Sequence, residues 1–412
     1  MLLNKEQQQA INLQDRFIFL LAGAGTGKTR TVIKKIKHLL VSGVNPGDIL
    51  AITFTRKAAE EMQLRLGNED VLINTFHGFC YGELQSRGLQ KKIVDPASLP
   101  FTQHELLLVA NYKNSLQGGK TPLIYNTYKE YLESKELIDF DDIMLMFLKL
   151  KNKYISKYKY IFVDEFQDTN ELQYEILKML INSDTKVFAV GDPDQSIYRF
   201  RGANPEIINR YLDDFNATLL TLGHNYRSST KIIKYANSSI SKNIHRIKKT
   251  LTPNRKADGY VEVLEFLNQE KEANFILNKI RELISMEYKI SDIAIIYRNH
   301  SRATNFKIKF YQSYLSLIQP SLNLLSSHES KGLEFKIVFL IGLEEGLMPQ
   351  TTLNQISETE EERRLFFVSI TRAMDYLYIS YTKKDQFEID KKPSRFIKEL
   401  SPNITKIIWN MI

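Results

Sequence analysis

Gly23-Ala24-Gly25-Thr26-Gly27-Lys28-Thr29 is the stretch whose reading decides the fold. An apolar run, residues 17–22, leads into it, and a helix-like stretch, residues 30–41, leads out. Strand, glycine-rich turn, Lys-Thr and helix is the context of a phosphate-binding loop, with Ala22 as the last strand residue. Glycines let the backbone wrap an anion with its N–H groups pointing inward, and the helix N-terminus behind them adds a positive dipole end. Lys28 has the reach for the outer phosphates, and the Thr29 hydroxyl suits Mg²⁺. A turn that merely packs a helix on a strand leaves Lys-Thr at its end unexplained.

Composition bounds the rest. A chain of 412 residues is too long for one small core, so two to four domains are expected. Hydrophobic residues make up 43%, yet no segment approaches the roughly 18–20 apolar residues of a membrane span. The polar first fourteen residues show no secretory pattern, and the single Cys80 allows no internal disulfide. A soluble, cytoplasmic protein without a membrane partner is the expectation. The 56 Lys and Arg exceed the 48 Asp and Glu by 8, a mild pull toward a polyanionic partner.

Ahead of the loop, Leu3-Asn4-Lys5-Glu6-Gln7 offers an amide that is donor and acceptor at once, as the N6/N7 edge of adenine requires. Beyond the loop, residues 49–54 read as a strand and 58–66 as a helix. Residues 71–79 read as a strand ending in polar and aromatic residues, which places Phe54, Thr75 and His77 at strand ends. Strands alternating with helices imply an α/β fold, a parallel sheet covered on both faces with ligands beyond the strands' carboxyl ends. From about residue 82 to 153 the alternation stops, and this part reads as a helical insertion. Its last helix opens at the acids of residues 138–142, which suit an N-terminus.

Residues 160–168, Tyr-Ile-Phe-Val-Asp-Glu-Phe-Gln-Asp, describe a buried strand that delivers two adjacent carboxylates. Asp164 suits Mg²⁺ opposite Thr29, and Glu165 suits the base that orients and deprotonates an attacking water. A further strand, residues 187–190, ends in a long polar loop, residues 191–203, where Gln195 is placed to sense a γ-phosphate. Tyr198, Phe200 and Arg201 lie a few residues on, and aromatics beside arginine suit stacking of unpaired bases. Residues 215–257 contain no acid and nine Lys or Arg, an asymmetry that reads as a phosphate-facing strip. Strands at 261–266, 293–297, 337–341 and 376–381 and a helix at 360–373 describe a second parallel α/β domain with no P-loop.

The ordered motifs LNKEQ, GAGTGKT, ITFTRKAAEEM, NTFHGFC, VDEFQDTN, GDPDQSIYRFRGA, NYRSS, SSHESKGLEF, EEGLMP and EEERRLFFVSITRA resemble the UvrD/Rep family of superfamily 1 helicases. The resemblance runs over nearly the whole chain. It implies two RecA-like motor domains, ATP with Mg²⁺ in the cleft between them, and 3′ to 5′ movement on single-stranded DNA. The first motor domain would be residues 1–80 and 154–222, the insertion 81–153, and the second motor domain 223–412. Carried over position by position, the resemblance gives Gln7 to adenine, Arg30 and Tyr226 to its flanks, and Glu334 to the ribose. Lys28 and Gln195 fall to the outer phosphates. Arg227 and Arg372 fall to the γ-phosphate as arginine fingers from the second domain. Phe54, Thr75, His77, Tyr198, Phe200, Arg201 and His328 fall to DNA, with Phe200 where relatives usually carry Trp.

One departure is as informative. In the family a large helical insertion precedes the SSHESKGLEF-type motif, whereas here only residues 300–325 separate Asn299 from Ser326, too few for a folded domain. Translocation on single strands is then expected to survive, with unwinding at single-strand/duplex junctions weakened. A motor subunit serving a separate nuclease or repair protein is the competing expectation, and RNA as the track stays open.

Overall fold

Short runs rich in Ile, Leu, Val and Phe form the central strands of two parallel sheets. Apolar side chains on both faces of such a strand require helices on both sides of the sheet. The computed structural model describes residues 2–313, 322–350, 356–385 and 387–400, and the backbone of 406–408. The chain divides into two units: residues 1–22 with 27–222, and residues 23–26 with 223–412.

In the first unit the strands are β1 (Phe17–Ala22), β2 (Ile49–Thr53), β3 (Leu72–Thr75), β4 (Tyr160–Val163), β5 (Lys186–Gly191) and β6 (Thr218–Leu222). They pair in parallel in the order β3-β2-β4-β5-β1-β6. The helices that bear on function are α1 (Lys5–Asn12), α2 (Lys28–Val41), α3 (Phe76–Gln85), α4 (Gln103–Asn114), α5 (Leu123–Ser134) and α6 (Phe140–Leu148). Leu20, Val32, Ile36 and Val190 meet in one core with essentially no exposure. Each such side chain contributes about 1.5–3 kcal/mol by leaving water.

The inserted region has a small core of its own around Val109, Tyr128 and Leu132. Beside it Lys113 Nζ donates to Asp139 Oδ2 at 2.7 Å and to Asp142 Oδ1 at 2.6 Å, and the Tyr128 hydroxyl donates to the same Asp139 oxygen. Asp139 is also the N-cap of α6, as its acid-rich start implied. One expectation fails: residues 71–79 are not a single strand. The Thr75 hydroxyl accepts the Gly78 N–H at 3.1 Å and caps α3, so Phe76 to Phe79 are helical. A local side-chain cap outweighs the strand preference of the two aromatics.

The second unit repeats the arrangement with β7 (Tyr260–Phe266), β8 (Ile293–Tyr297), β9 (Asn323–Ser326), β10 (Phe335–Ile341), β11 (Ala373–Thr382) and β12 (Lys406–Ile408). Their order is β9-β8-β10-β11-β7-β12, again parallel. The helix expected at 360–373 is Ile356–Ile370, and Ala373 already pairs with Phe335 as the start of β11. Within the connection at 300–325, Thr304–Gln312 forms a helix and residues 314–321 lie outside the described residues. No helix among the described residues is long and apolar enough to cross a membrane.

Candidate nucleotide and nucleic-acid sites

β1 carries the chain into the loop and α2 carries it out. The N-cap of α2 is Gly27 at φ 84°, ψ 36°, and no side chain caps the helix. A β-carbon at Gly27 is strained by that φ and stands 3.0 Å from Gln7 Nε2. The first turn of α2 carries no acid, so its N–H groups and dipole end favour an anion. Lys28 Nζ lies 3.5 Å from Glu165 Oε1, and the Thr29 hydroxyl donates to Asp164 Oδ2 at 3.3 Å. Four residues of two distant motifs therefore converge at the carboxyl ends of β1 and β4.

Burial and the adjacent Glu165 charge push the Asp164 carboxyl up to about 6, against the opposing pull of Lys28. A hydroxyl and a carboxylate are hard oxygen donors and fit Mg²⁺. That ion characteristically takes one or two protein oxygens and leaves the rest of its shell to phosphates and water. Among the described residues no group of three or more His, Cys, Asp or Glu is placed to hold a metal ion.

The other nucleotide candidates are more constrained. Gln195 is 4% exposed, and its Nε2 donates to Asp192 Oδ2 at 2.6 Å. Gln7 is buried, and its Oε1 accepts the Asn4 N–H at 3.2 Å while Asn4 Oδ1 accepts the Gln7 N–H at 2.7 Å. Its amide oxygen thus already serves as half of a capping box on α1. Arg30 stands half-buried in the first turn of α2, and Ala22 closes β1 in the core.

Residues 23–26 belong to the second unit, where Asn225 Nδ2 donates to Ala24 O at 2.6 Å and Tyr226 N–H donates to Gly25 O at 2.9 Å. The Thr26 hydroxyl turns back to Gly23 O at 2.9 Å. Arg227 Nε donates to Glu334 Oε2 at 2.7 Å. Arg372 is 1% exposed; its Nε donates to Val368 O and its Nη1 to Leu333 O, the residue before Glu334. His328 sits half-buried in the turn after β9.

In the first unit a cleft of about 720 Å³ gathers the nucleic-acid candidates Phe54, Thr75, His77, Tyr198, Phe200 and Arg201. Phe54 and Tyr198 stack with centroids 5.1 Å apart and planes 20° from parallel. The Arg201 guanidinium lies 5.6 Å from the Tyr198 ring and 5.5 Å from the Phe200 ring, and Phe200 is 43% exposed. Aromatic faces edged by arginine are what unpaired bases stack on. Thr75 is occupied as a cap, and His77 Nε2 lies 3.6 Å from Asp141 Oδ1.

The sequence reading missed one wall of this cleft. Gln103, Leu107, Ala110 and Asn114 of α4 line it, so the inserted helices shape the site. The i, i+4, i+7 spacing of Gln103, Leu107 and Ala110 was the available signal, unreadable without knowing which face meets the sheet. The basic strip also looks different in three dimensions. Arg227, Lys231 and Arg255 pair with Glu334, Asp258 and Asp375, acids that lie outside the strip in sequence. Arg246, Lys248 and Lys249 line a hollow of about 320 Å³.

Family models match along the chain: the UvrD/REP helicase N-terminal domain over residues 3–114 and 89–216, and the UvrD-like helicase C-terminal domain over 220–318 and 311–384. The chain belongs to the UvrD/REP helicase family. This family member is 37% identical over 360 residues to the ATP-dependent DNA helicase Rep of Buchnera aphidicola subsp. Acyrthosiphon pisum (strain APS), covering 73% of this chain and 55% of that protein. It is 34% identical over 353 residues to the ATP-dependent DNA helicase PcrA of Bacillus subtilis (strain 168), covering 73% of this chain and 48% of that one. A probable DNA helicase of Mycoplasma pneumoniae (strain ATCC 29342 / M129 / Subtype 1) is 30% identical over 460 residues, covering 96% and 86%. The chain spans about half the length of the Rep and PcrA relatives. Two parallel α/β sheets of RecA-like motor type agree with this family, as the motifs implied.

Proposed function

We propose that this chain is an ATP-dependent motor on DNA, a helicase or translocase that moves 3′ to 5′ along single strands in repair, replication or recombination. The observation that carries the reading is the convergence of Lys28, Thr29, Asp164 and Glu165 in the unit whose cleft holds the Phe54–Tyr198 stack. Lys28 and the N–H groups at the head of α2 hold the outer phosphates. Gln195 senses the γ-phosphate, and Glu165 orients the attacking water and takes its proton. Thr29 and Asp164 are the residues to hold Mg²⁺, which when bound neutralises charge that builds on the phosphates. Gln7 reads adenine at the cost of its bond to Asn4, with Arg30 and Tyr226 flanking the ring and Glu334 toward the ribose.

Arg227 and Arg372 are assigned to the γ-phosphate. Each is held by groups of its own unit, so each must exchange those partners for phosphate oxygens to act. Phe54, Tyr198 and Phe200 stack on bases, while His77, Arg201, Thr75 and His328 contact the strand. Residues 1–80 with 154–222, 81–153 and 223–412 are the corresponding motor, insertion and motor domains. The cytoplasm is the proposed compartment. A second reading, a motor subunit with weak unwinding that serves a separate nuclease or repair protein, is favoured by the short connection at 300–325.

ATP turnover measured with and without unpaired DNA, at two salt concentrations, tests the main reading. Stimulation that weakens with salt is expected. In the Arg372→Ala variant nucleotide should still bind while DNA-stimulated turnover falls about 10³-fold, the order seen for arginine fingers. Unchanged turnover would remove Arg372 from the site.

A further inference from the structure

Two residues beyond Glu165 lies a side chain that no motif role has claimed. Gln167 is fully buried, and its amide makes three hydrogen bonds within the first unit. Its Oε1 accepts the Asp192 N–H at 2.8 Å, and its Nε2 donates to Glu165 Oε2 at 2.5 Å and to Asp168 Oδ2 at 3.2 Å. The backbone donor decides which way the amide faces. An N–H can meet only the oxygen end, so the –NH₂ end must point at the carboxylates. Gly191 makes the fit possible, because a β-carbon there would stand 2.7 Å from Gln167 Oε1. The Gln167 carbonyl in turn accepts the Ser196 hydroxyl at 3.1 Å.

Glu165 needs such a hold. It sits at φ 52°, ψ 43°, a left-handed conformation that is unfavourable for a non-glycine residue. One carboxylate oxygen faces Lys28 at 3.5 Å and the other is taken by Gln167.

We propose that Gln167 is a positioning residue for hydrolysis: its amide fixes the Glu165 carboxylate in the rotamer that addresses water and ties that carboxylate to the Asp192–Gln195 turn. This rests on the reading of Glu165 as the water-orienting base. Gln195 Nε2 is bonded to Asp192 Oδ2, so the group proposed to sense the γ-phosphate and the group proposed to activate water share one rigid frame. An amide does this where an acid or an alkyl chain cannot. A carboxylate at 167 would repel Glu165 and Asp168 and leave the Asp192 N–H as its only partner, and a thioether would satisfy neither side.

The experiment is a double-mutant cycle on the full chain. Steady-state ATP turnover is measured at saturating single-stranded DNA in wild type, Gln167→Met, Glu165→Gln and the double variant. Gln167→Met keeps length and volume. It should lower kcat about 10- to 100-fold, the scale of a mispositioned group, and change KM for ATP by less than about threefold. In the Glu165→Gln background the same change should lower residual turnover by less than about twofold, because there is no base left to position. Equal losses in both backgrounds, or an unchanged kcat in the single variant, overturn the proposal. Full turnover by Glu165→Gln alone overturns the prior reading of Glu165 and is seen separately. Should Gln167→Met fail to fold by thermal melting, Gln167→Glu, isosteric with glutamine, replaces it with the same criteria.

Discussion

The two sheets are wired identically, and they differ in what stands at the same corners. Numbered within each unit, both have the strand order 3-2-4-5-1-6. After strand 1, the first unit opens its helix at Gly27 without a side-chain cap, whereas the second unit opens the helix Gln269–Ser285 with Asn268, whose side chain accepts the Lys271 N–H. One helix end carries no side-chain cap and the other is closed by its own chain. After strand 4, the first unit has Asp164 and Glu165 beside Lys28. The second has Glu344, 3% exposed and locked to Arg302, which also clasps Glu272. After strand 3 the two agree: Thr75 and Ser326 each accept an N–H three residues on, and each presents a histidine two residues on, His77 and His328. Topology therefore supplies the corners, and a few side chains decide how each corner is filled.

The largest effect that can break this comparison is expected at Arg302. Its guanidinium bonds both Glu272 oxygens at 2.7 and 3.0 Å and Glu344 Oε1 at 2.9 Å. Arg302→Ala leaves two carboxylates buried without their cation and should cost about 3–5 kcal/mol in urea unfolding of the second unit. An unchanged unfolding midpoint would mean that Glu344 is not the structural counterpart described. Next comes Asn268→Ala, which removes a helix cap and should cost about 1 kcal/mol without changing nucleotide binding. Altered nucleotide affinity would put a functional corner where the comparison has a closed one.

The smallest effect concerns the strand-3 corner. The Ser326 N–H holds the Glu329 carboxyl below its usual range. A depressed folded value means the contribution is present above about pH 4.5 and fades as pH falls further. Glu329→Gln should lower the thermal midpoint by about 1 °C at pH 7, with the difference from wild type shrinking toward pH 3.5. A difference that grows in acid would contradict the assigned bond.

Sequence alone determined the class of the fold and picked out the residues that the structure brings together beside the glycine-rich loop of the first unit. Apolar runs of four to six residues, glycines before Lys28 and acids after Val163 are local signals, and local signals follow from backbone sterics and charge. The same logic failed where a cap competes with a strand, as at Thr75, because both readings are locally sound and only packing chooses. Tertiary structure alone decided that the two units share one strand order, that α4 walls the cleft, that Arg302 neutralises Glu344, and that the distant Asp192 N–H turns the Gln167 amide toward Glu165. Those facts depend on which residues distant in sequence are brought within about 3 Å, and a hydrogen bond has no signature in sequence until both of its partners are placed.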